Sequence, residues 1–356
     1  MADLEDIIKE GSQKPKKQRN HMILLWILIS VTILVGLGFL VISPYMVKGS
    51  SEKVTVRIPK NASMQNVQDT LLKYYPEDYA KRLSRLLSIT GFKPEERYGM
   101  YEIPEGATAF AAMRKLARGG QTPVKLHING FRDMHYLAER MSKKVDFTPD
   151  EFLAVATDSA YLAQYGLTPE QALALFLEDT YEVYWTSTPK EVIDKIGKNY
   201  LGFWTEGKKE DAEDLTLTPV ETMILASIVD EETNQVIEKG RIGRMYINRL
   251  QKGMKLQSCP TVKFAHKNQA MQRIYDEDTK IDSPYNTYII DGLPPGPLRT
   301  TSRQTVEEIL KSNPTDELYI CAREDFSGFH HFSKTYEEHL EHAARYQEVL
   351  DEKGIK

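Results

Sequence analysis

From Met22 to Ser43 the chain reads MILLWILISVTILVGLGFLVIS, without a single charged residue. At a rise of about 1.5 Å per residue such a run crosses a bilayer core, so the pattern predicts a membrane helix over 22–43. A cleaved secretory signal is the alternative. The run outlasts an ordinary signal core, however, and leads into Pro44-Tyr45-Met46 with no small-residue cleavage site. Beyond it the pattern shortens. Val54-Thr-Val-Arg-Ile58 alternates apolar and polar residues, as a half-buried strand does, and Met64, Val67 and Leu71 then follow at helical spacing. The script returns at Val124-Lys-Leu-His-Ile128, Met134, Leu137 and Met141, each position displaced by 70 (124 − 54). This is a weak internal repeat of a strand–helix unit. Between the copies, Met100–Ile103 reads as a strand. Phe110, Met113 and Leu116 read as a helix face closed by Gly119. No catalytic constellation accompanies this region, which points to binding or spacing.

Residues 146–213 read as mostly helical, with Thr148 as an N-cap and an apolar–acidic interruption at Leu175–Tyr181. Lys208–Asp214 reads as a solvated, charged linker. The sharpest local signal follows. Thr218-Pro219-Val220-Glu221 combines a cap, a first-turn proline and a reciprocal acid, the signature of a helix start. Met223–Val229 is then apolar apart from Ser227, as a core helix is. Directly after it stand Asp230, Glu231 and Glu232. Mutual repulsion, burial and the helix C-terminal dipole all act to raise a carboxyl pKa there, as a general acid needs. Glu232 lies four residues after Ile228 and seven after Leu225, so it continues a core-facing stripe. Glu231 falls at the edge of that stripe, and Asp230 is placed to cap or to meet solvent. The alternative is that all three are a hydrated helix end.

The patterns together predict an α+β protein. A tail over 1–21 and a transmembrane helix over 22–43 precede a small α/β module over 44–145. A mainly helical domain with a small sheet fills 146–356. The length of 356 residues suits two such domains. Lys14, Lys16, Lys17 and Arg19 crowd the N-terminal flank of the apolar run, against Lys48 and Lys53 beyond it. Cationic flanks stay in the cytoplasm, so residues from 44 onward are expected outside it. The mixed-charge tail itself is expected to be disordered. A net charge of −5 argues against nucleic acid as the main partner. The 19 Tyr suit stacking on sugars, and equally half-buried surfaces. Cys259 and Cys321 form no metal spacing, and whether they pair is open. His339 and His342 lie three apart without an evident Asp or Cys partner set, so no metal is expected. No GxSxG, GxGxxG, P-loop or HExxH motif is present, and no cofactor is expected.

Ala226-Ser-Ile-Val-Asp-Glu-Glu-Thr233 resembles the active-site motif ASIVEKET of the YceG-like (MltG) family of endolytic murein transglycosylases. Asp230 stands for the usual Glu and Glu231 for the usual Lys. Tyr246-Ile-Asn-Arg-Leu250, Gly253-Met254 and Leu256-Gln257 resemble its FINRL..GM.LQ. Pro260-Thr-Val262 resembles its DPTV, with Cys259 in place of Asp. Ser283-Pro-Tyr-Asn-Thr-Tyr288 and Gly292-Leu-Pro-Pro-Gly296 resemble its YNTY…GLPPG, whereas Leu298–Ser302 departs from the usual I-x-x-PG. Glu178-Asp-Thr-Tyr181 resembles PDTY, and Gly328–Ser333 with Thr335–His339 resembles GxHxFSxTYxEH. The resemblance implies a LysM-like N-terminal module and Glu232 as the acid/base. It implies cleavage of the MurNAc–GlcNAc β-1,4 bond to a 1,6-anhydro-MurNAc end, with peptidoglycan synthases as candidate partners. Gln257, Thr261, Tyr285 and Asn286 are the candidate substrate contacts. A muramidase, a silent glycan-binding anchor and a His-dependent metalloenzyme are the competing readings.

Overall fold

The computed structural model describes residues 3–355, with side chains from Asn20 onward. Helix α1 is assigned Asp3–Ile42, and the disorder expected of the tail falls on residues 1–19, outside the residues described with side chains. Within it and the short 3-10 turn that follows, Asn20–Met46 is long and apolar enough to cross a membrane, with a mean hydropathy of 2.7. Trp26, Leu34 and Phe39 are exposed, as on a bilayer-facing helix.

The chain divides into two compact units, 1–122 and 123–356. In the first, β1 (Val54–Ile58) pairs antiparallel with β2 (Gly99–Ile103), Val56 opposite Tyr101. Helices α2 (Met64–Tyr74), α3 (Glu77–Ile89) and α4 (Ala109–Ala117) complete it. Val56, Leu71, Leu83, Leu87, Tyr101 and Leu116 close one apolar core. Alternation in β1 and the 3.6-residue stripe of α2 feed that core from both elements. Gly119, with φ of 68°, takes the left-handed turn that stops α4, and its N–H reaches the Leu116 carbonyl at 3.0 Å.

The second strand–helix copy forms as the repeat predicts: β3 (Val124–Ile128) and α5 (Met134–Ser142). It belongs to the other unit, however. The module boundary expected at 145/146 falls at 122/123. The reason is pairing: β3 hydrogen-bonds to β4 (Asp179–Val183), Leu126 opposite Tyr181. A strand so placed brings its helix with it. Helices α6 (Pro149–Ala156), α7 (Ser159–Leu162) and α8 (Pro189–Phe203) follow. The expected charged linker is instead helix α9 (Glu206–Asp214), capped by Thr205 and tied to the fold by buried Ala212.

Helix α10 (Pro219–Glu232) begins where the cap signature put it. Thr218 Oγ1 accepts from Glu221 N at 3.2 Å and Glu221 Oε2 accepts from Thr218 N at 2.8 Å. Met223–Asp230 is buried throughout, and the lone Ser227 is satisfied by accepting from Leu298 N at 2.9 Å. Packed around it are α11 (Val236–Gln251), α12 (Cys259–Ala265) and α13 (Arg303–Leu310). A Cβ on Gly240 would meet the Glu308 carbonyl at 2.6 Å, and one on Gly243 would meet Ile309 Cγ1 at 2.6 Å. Those two glycines let α13 lie directly on α11. A hairpin of β5 (Tyr319–Ala322) and β6 (His330–Ser333), then α14 (Tyr336–Glu352), closes the chain.

Candidate active site at the end of a buried helix

The three acids that end α10 have three different environments. Asp230 is buried. Its carboxylate accepts from Lys239 Nζ at 2.6 Å, from the Ser302 N–H at 3.2 Å and from the Thr305 hydroxyl. It is a core ion pair, not the cap or solvent contact expected of it. Glu231 is gripped by Arg132, at 2.8 and 2.9 Å from its two oxygens, and by Arg299 at 3.3 Å. Arg299 continues to Glu178 at 2.9 Å, and Glu178 accepts from Gly130 N at 2.6 Å. Glu178, Glu231 and Arg299 each stand where the sequence departs from the family's motifs. The three side chains meet in one charge cluster.

Glu232 has no such cation. The Tyr246 hydroxyl donates to its Oε2 at 3.3 Å, and His330 Nε2 stands 4.0 Å from its Oε1. Only 16% of its side-chain surface remains exposed, enough for a proton or substrate to reach it. Burial holds this carboxyl above the ordinary range, while His330, the Tyr246 hydroxyl, Lys263 and Ser258 pull it the other way. Repulsion among the three acids, expected from their adjacency, is answered by the cations on the other two. Burial also drives the Tyr246 hydroxyl well above its usual range, so Tyr246 is a donor here.

Helix α11 supplies Tyr246 and, in its first turn, Glu238. Strand β6 supplies His330, whose Nδ1 lies 3.0 Å from Glu238 Oε2. The start of α12 supplies Ser258 and Cys259. Among the described residues the buried Ser258 hydroxyl has no hydrogen-bond partner, and it lies near both Glu232 and Tyr246. The Cys259 thiol sits 3.5 Å from the Tyr288 hydroxyl and is pushed up by burial, then by Glu232. Both cysteines are free thiols.

Of the expected substrate contacts, Gln257 and Tyr285 keep accessible surface. Gln257 is exposed in a left-handed backbone (φ 52°), its side chain accepting from Arg249 Nη2 at 2.6 Å. Tyr285 is half-buried against Phe264, ring centroids 4.7 Å apart. Thr261 and Asn286 are fully buried and stand behind the site. Thr261 Oγ1 bonds to Ser258 O at 2.6 Å and Thr287 Oγ1 at 2.8 Å. The Asn286 amide donates to Thr279 O and Ile281 O, each at 2.8 Å, and its oxygen accepts from Tyr288 N at 3.1 Å. Their side-chain hydrogen bonds are made inside the protein, to the segments that carry Ser258, Thr287 and Tyr288. Gly296 packs against the Glu170 carbonyl, which a Cβ there would strike at 1.9 Å. Tyr246 and His330 lay within motif-like segments without an assigned role. Glu238 and Ser258 gave no sequence signal at all.

The YceG-like family profile matches residues 56–345, most of the chain and all of these site residues. The chain belongs to the YceG-like family. It is 25% identical over 326 residues to an endolytic murein transglycosylase of Bacillus subtilis (strain 168), covering 86% of this chain and 88% of that one. An endolytic murein transglycosylase of Streptococcus pneumoniae serotype 2 (strain D39) matches at 25% over 307 residues, 77% of this chain and 55% of its own length. The chain therefore spans about half of that longer relative. A crystal structure of a yceG-like protein from Listeria monocytogenes, 24% identical, superposes with a TM-score of 0.53, covering 82% of this chain and 99% of that one. That likeness shows the YceG-like fold.

Proposed function

We propose that this YceG-like protein is a peptidoglycan lytic transglycosylase with Glu232 as its single acid/base. It cleaves the MurNAc–GlcNAc β-1,4 bond within strands and leaves 1,6-anhydro-MurNAc ends. The observation that carries this reading is the sorting of the three acids: Asp230 and Glu231 are hydrogen-bonded to cations, whereas Glu232, the most accessible of the three, has no cation in hydrogen-bond contact. Its raised pKa favours the protonated form with which the reaction begins. Glu232 gives that proton to the glycosidic oxygen as the C1–O bond breaks, and the GlcNAc side leaves with a free hydroxyl. The carboxylate then takes the proton of the MurNAc 6-hydroxyl as O6 closes on C1, which restores the acid. A hydrolase would instead use a second free carboxylate, about 5–5.5 Å away if retaining and 6.5–9.5 Å if inverting. The nearby Glu238 is bound to His330 rather than free to activate water.

In this reading α1 anchors the enzyme in the cell membrane with its N-terminus in the cytoplasm. The first unit is a LysM-like glycan-binding module, and the protein works beside peptidoglycan synthases on nascent strands. Gln257 and Tyr285 touch the glycan. The test is mass spectrometry of products from the full-length protein in detergent, run beside Glu232→Gln. Anhydro ends from the parent and none from the variant are expected. Reducing ends would make it a muramidase. Glycan binding without cleavage by the folded parent would make it an anchor.

A further inference from the structure

The Glu232 carboxyl has a built environment that extends one layer past the groups touching it. Glu238, in the first turn of α11, is itself buried, and it spends both oxygens on one residue. Its Oε1 accepts the main-chain N–H of His330 at 3.1 Å, and its Oε2 lies 3.0 Å from the ring Nδ1. A carboxylate can only accept, so Nδ1 carries the hydrogen in that contact. The ring is thereby fixed in tautomer and in plane, and its other nitrogen is turned toward Glu232 Oε1 at 4.0 Å. The second oxygen of Glu232 meets the Tyr246 hydroxyl. Both oxygens are thus attended, one by a neutral donor and one by an imidazole with its own buried counter-charge. Burying a carboxylate and an imidazole is costly, and an apolar pair would fill the same space.

We propose that Glu238 and His330 are a positioning pair for the acid/base, Glu238 holding the imidazole so that its Nε2 edge steadies Glu232 while Glu232 is anionic. This rests on the reading of Glu232 as the acid/base. Glu232 is neutral, then anionic, then neutral again in each turnover. The Nε2 edge of His330 favours the anionic interval of Glu232, and Glu238 holds the ring from its other side. Other groups face the same carboxyl: Tyr246 from α11, Lys263 and Cys259 from α12, and Tyr288 from its loop. Arg323 faces His330, its Nε donating to the carbonyl at 3.3 Å. All of these remain unchanged in the variants below.

The experiment is the pH profile of kcat/KM for anhydro-end formation by the full-length protein in detergent, for the parent, His330→Gln and Glu238→Gln, with melting temperatures alongside. A cation beside a carboxylate lowers its pKa, so removing it raises that pKa. Activity needs protonated Glu232 and falls as pH rises through its pKa. The alkaline limb of His330→Gln is therefore expected at higher pH, with kcat down about tenfold or more, less than the roughly 10²–10⁴-fold worth of an acid/base itself. Glu238→Gln is expected to move the limb in the same direction by less. Folded variants whose limb stays at the parent's pH would overturn the pair, as would variants of both kinds that fail to fold, since the pair would then be a core contact. If only His330→Gln misfolds, Glu238→Gln decides. Glu232→Gln run beside them separates the two levels: if it is active, the acid/base reading fails, and if it is inactive while the limb is unmoved, only the pair fails.

Discussion

The two units open with the same strand–turn–helix script and differ in what they bury. Among the described residues of the first, Ser84 is the one buried polar side chain in an otherwise apolar core. The second buries Asp230, Glu238, Lys239, Arg249, Glu317 and His330 along with its aliphatic side chains. A buried charge costs free energy unless it is paired, so a fold keeps one only where its partners are held in place. Here the partners come from α10, α11, α13 and the β5–β6 hairpin, the elements that converge on Glu232 or its neighbours. Buried charge in this chain gathers in the second unit, several of these groups around Glu232, and the first unit carries none among its described residues.

The largest effect expected on that contrast is at the proposed acid/base. Glu232→Gln should lower glycan cleavage by roughly 10³-fold or more, read as anhydro ends by mass spectrometry. Its stability should move the opposite way. The folded protein holds the Glu232 proton over a pH range in which the unfolded chain, with a pKa of about 4.3, has lost it. Stability is therefore lost as pH rises through the folded value, and the variant escapes that loss. Glu232→Gln should melt above the parent at about pH 8 and level with it near pH 4. A gap independent of pH would show that the carboxyl is not strained by burial.

Next comes the buried pair. Asp230→Ala leaves Lys239 charged and enclosed, and should destabilise the second unit by about 3–5 kcal/mol in thermal or urea unfolding. A change below about 1 kcal/mol would mean that water reaches the site. In the first unit the matching lesion is apolar. Leu71→Ala should cost about 2–5 kcal/mol through its cavity, with cleavage of short soluble glycans kept. Loss of that activity would show that the catalytic unit depends on the module's fold. The smallest effect belongs to the exposed Lys53–Glu102 pair, 2.9 Å apart, where Lys53→Met should change stability by less than about 1 kcal/mol.

Local signals in the sequence translated well. Thr148 and Thr218 cap the helices they precede, and the 70-residue repeat appears as β1–α2 and β3–α5. Composition misled at 208–214, where a charged stretch has enough packing through Ala212 and Lys208 to stay helical. Spacing singled out Glu232 among its neighbours, and of the causes expected to raise its pKa burial is the one that acts, while repulsion is answered. Charge repulsion is a property of adjacency, and adjacency says nothing of Arg132, Arg299 or Lys239, which answer it from distant segments. Thr261 and Asn286 stand in motif-like segments that predict ligand contacts, and the fold buries both completely. A motif cannot distinguish a residue that touches substrate from one that holds the loop behind it.

The sequence by itself determined the apolar helix, the caps, the strand–helix repeat and an acid at the end of a core helix, because these depend on residues within a few positions of one another. Tertiary structure alone decided that β3 joins β4 and so moves the domain boundary. It also decided that two of three adjacent acids are neutralised, and that Glu238 and His330 stand behind the third. Each of those depends on groups far apart in the chain whose partners only the packed fold selects.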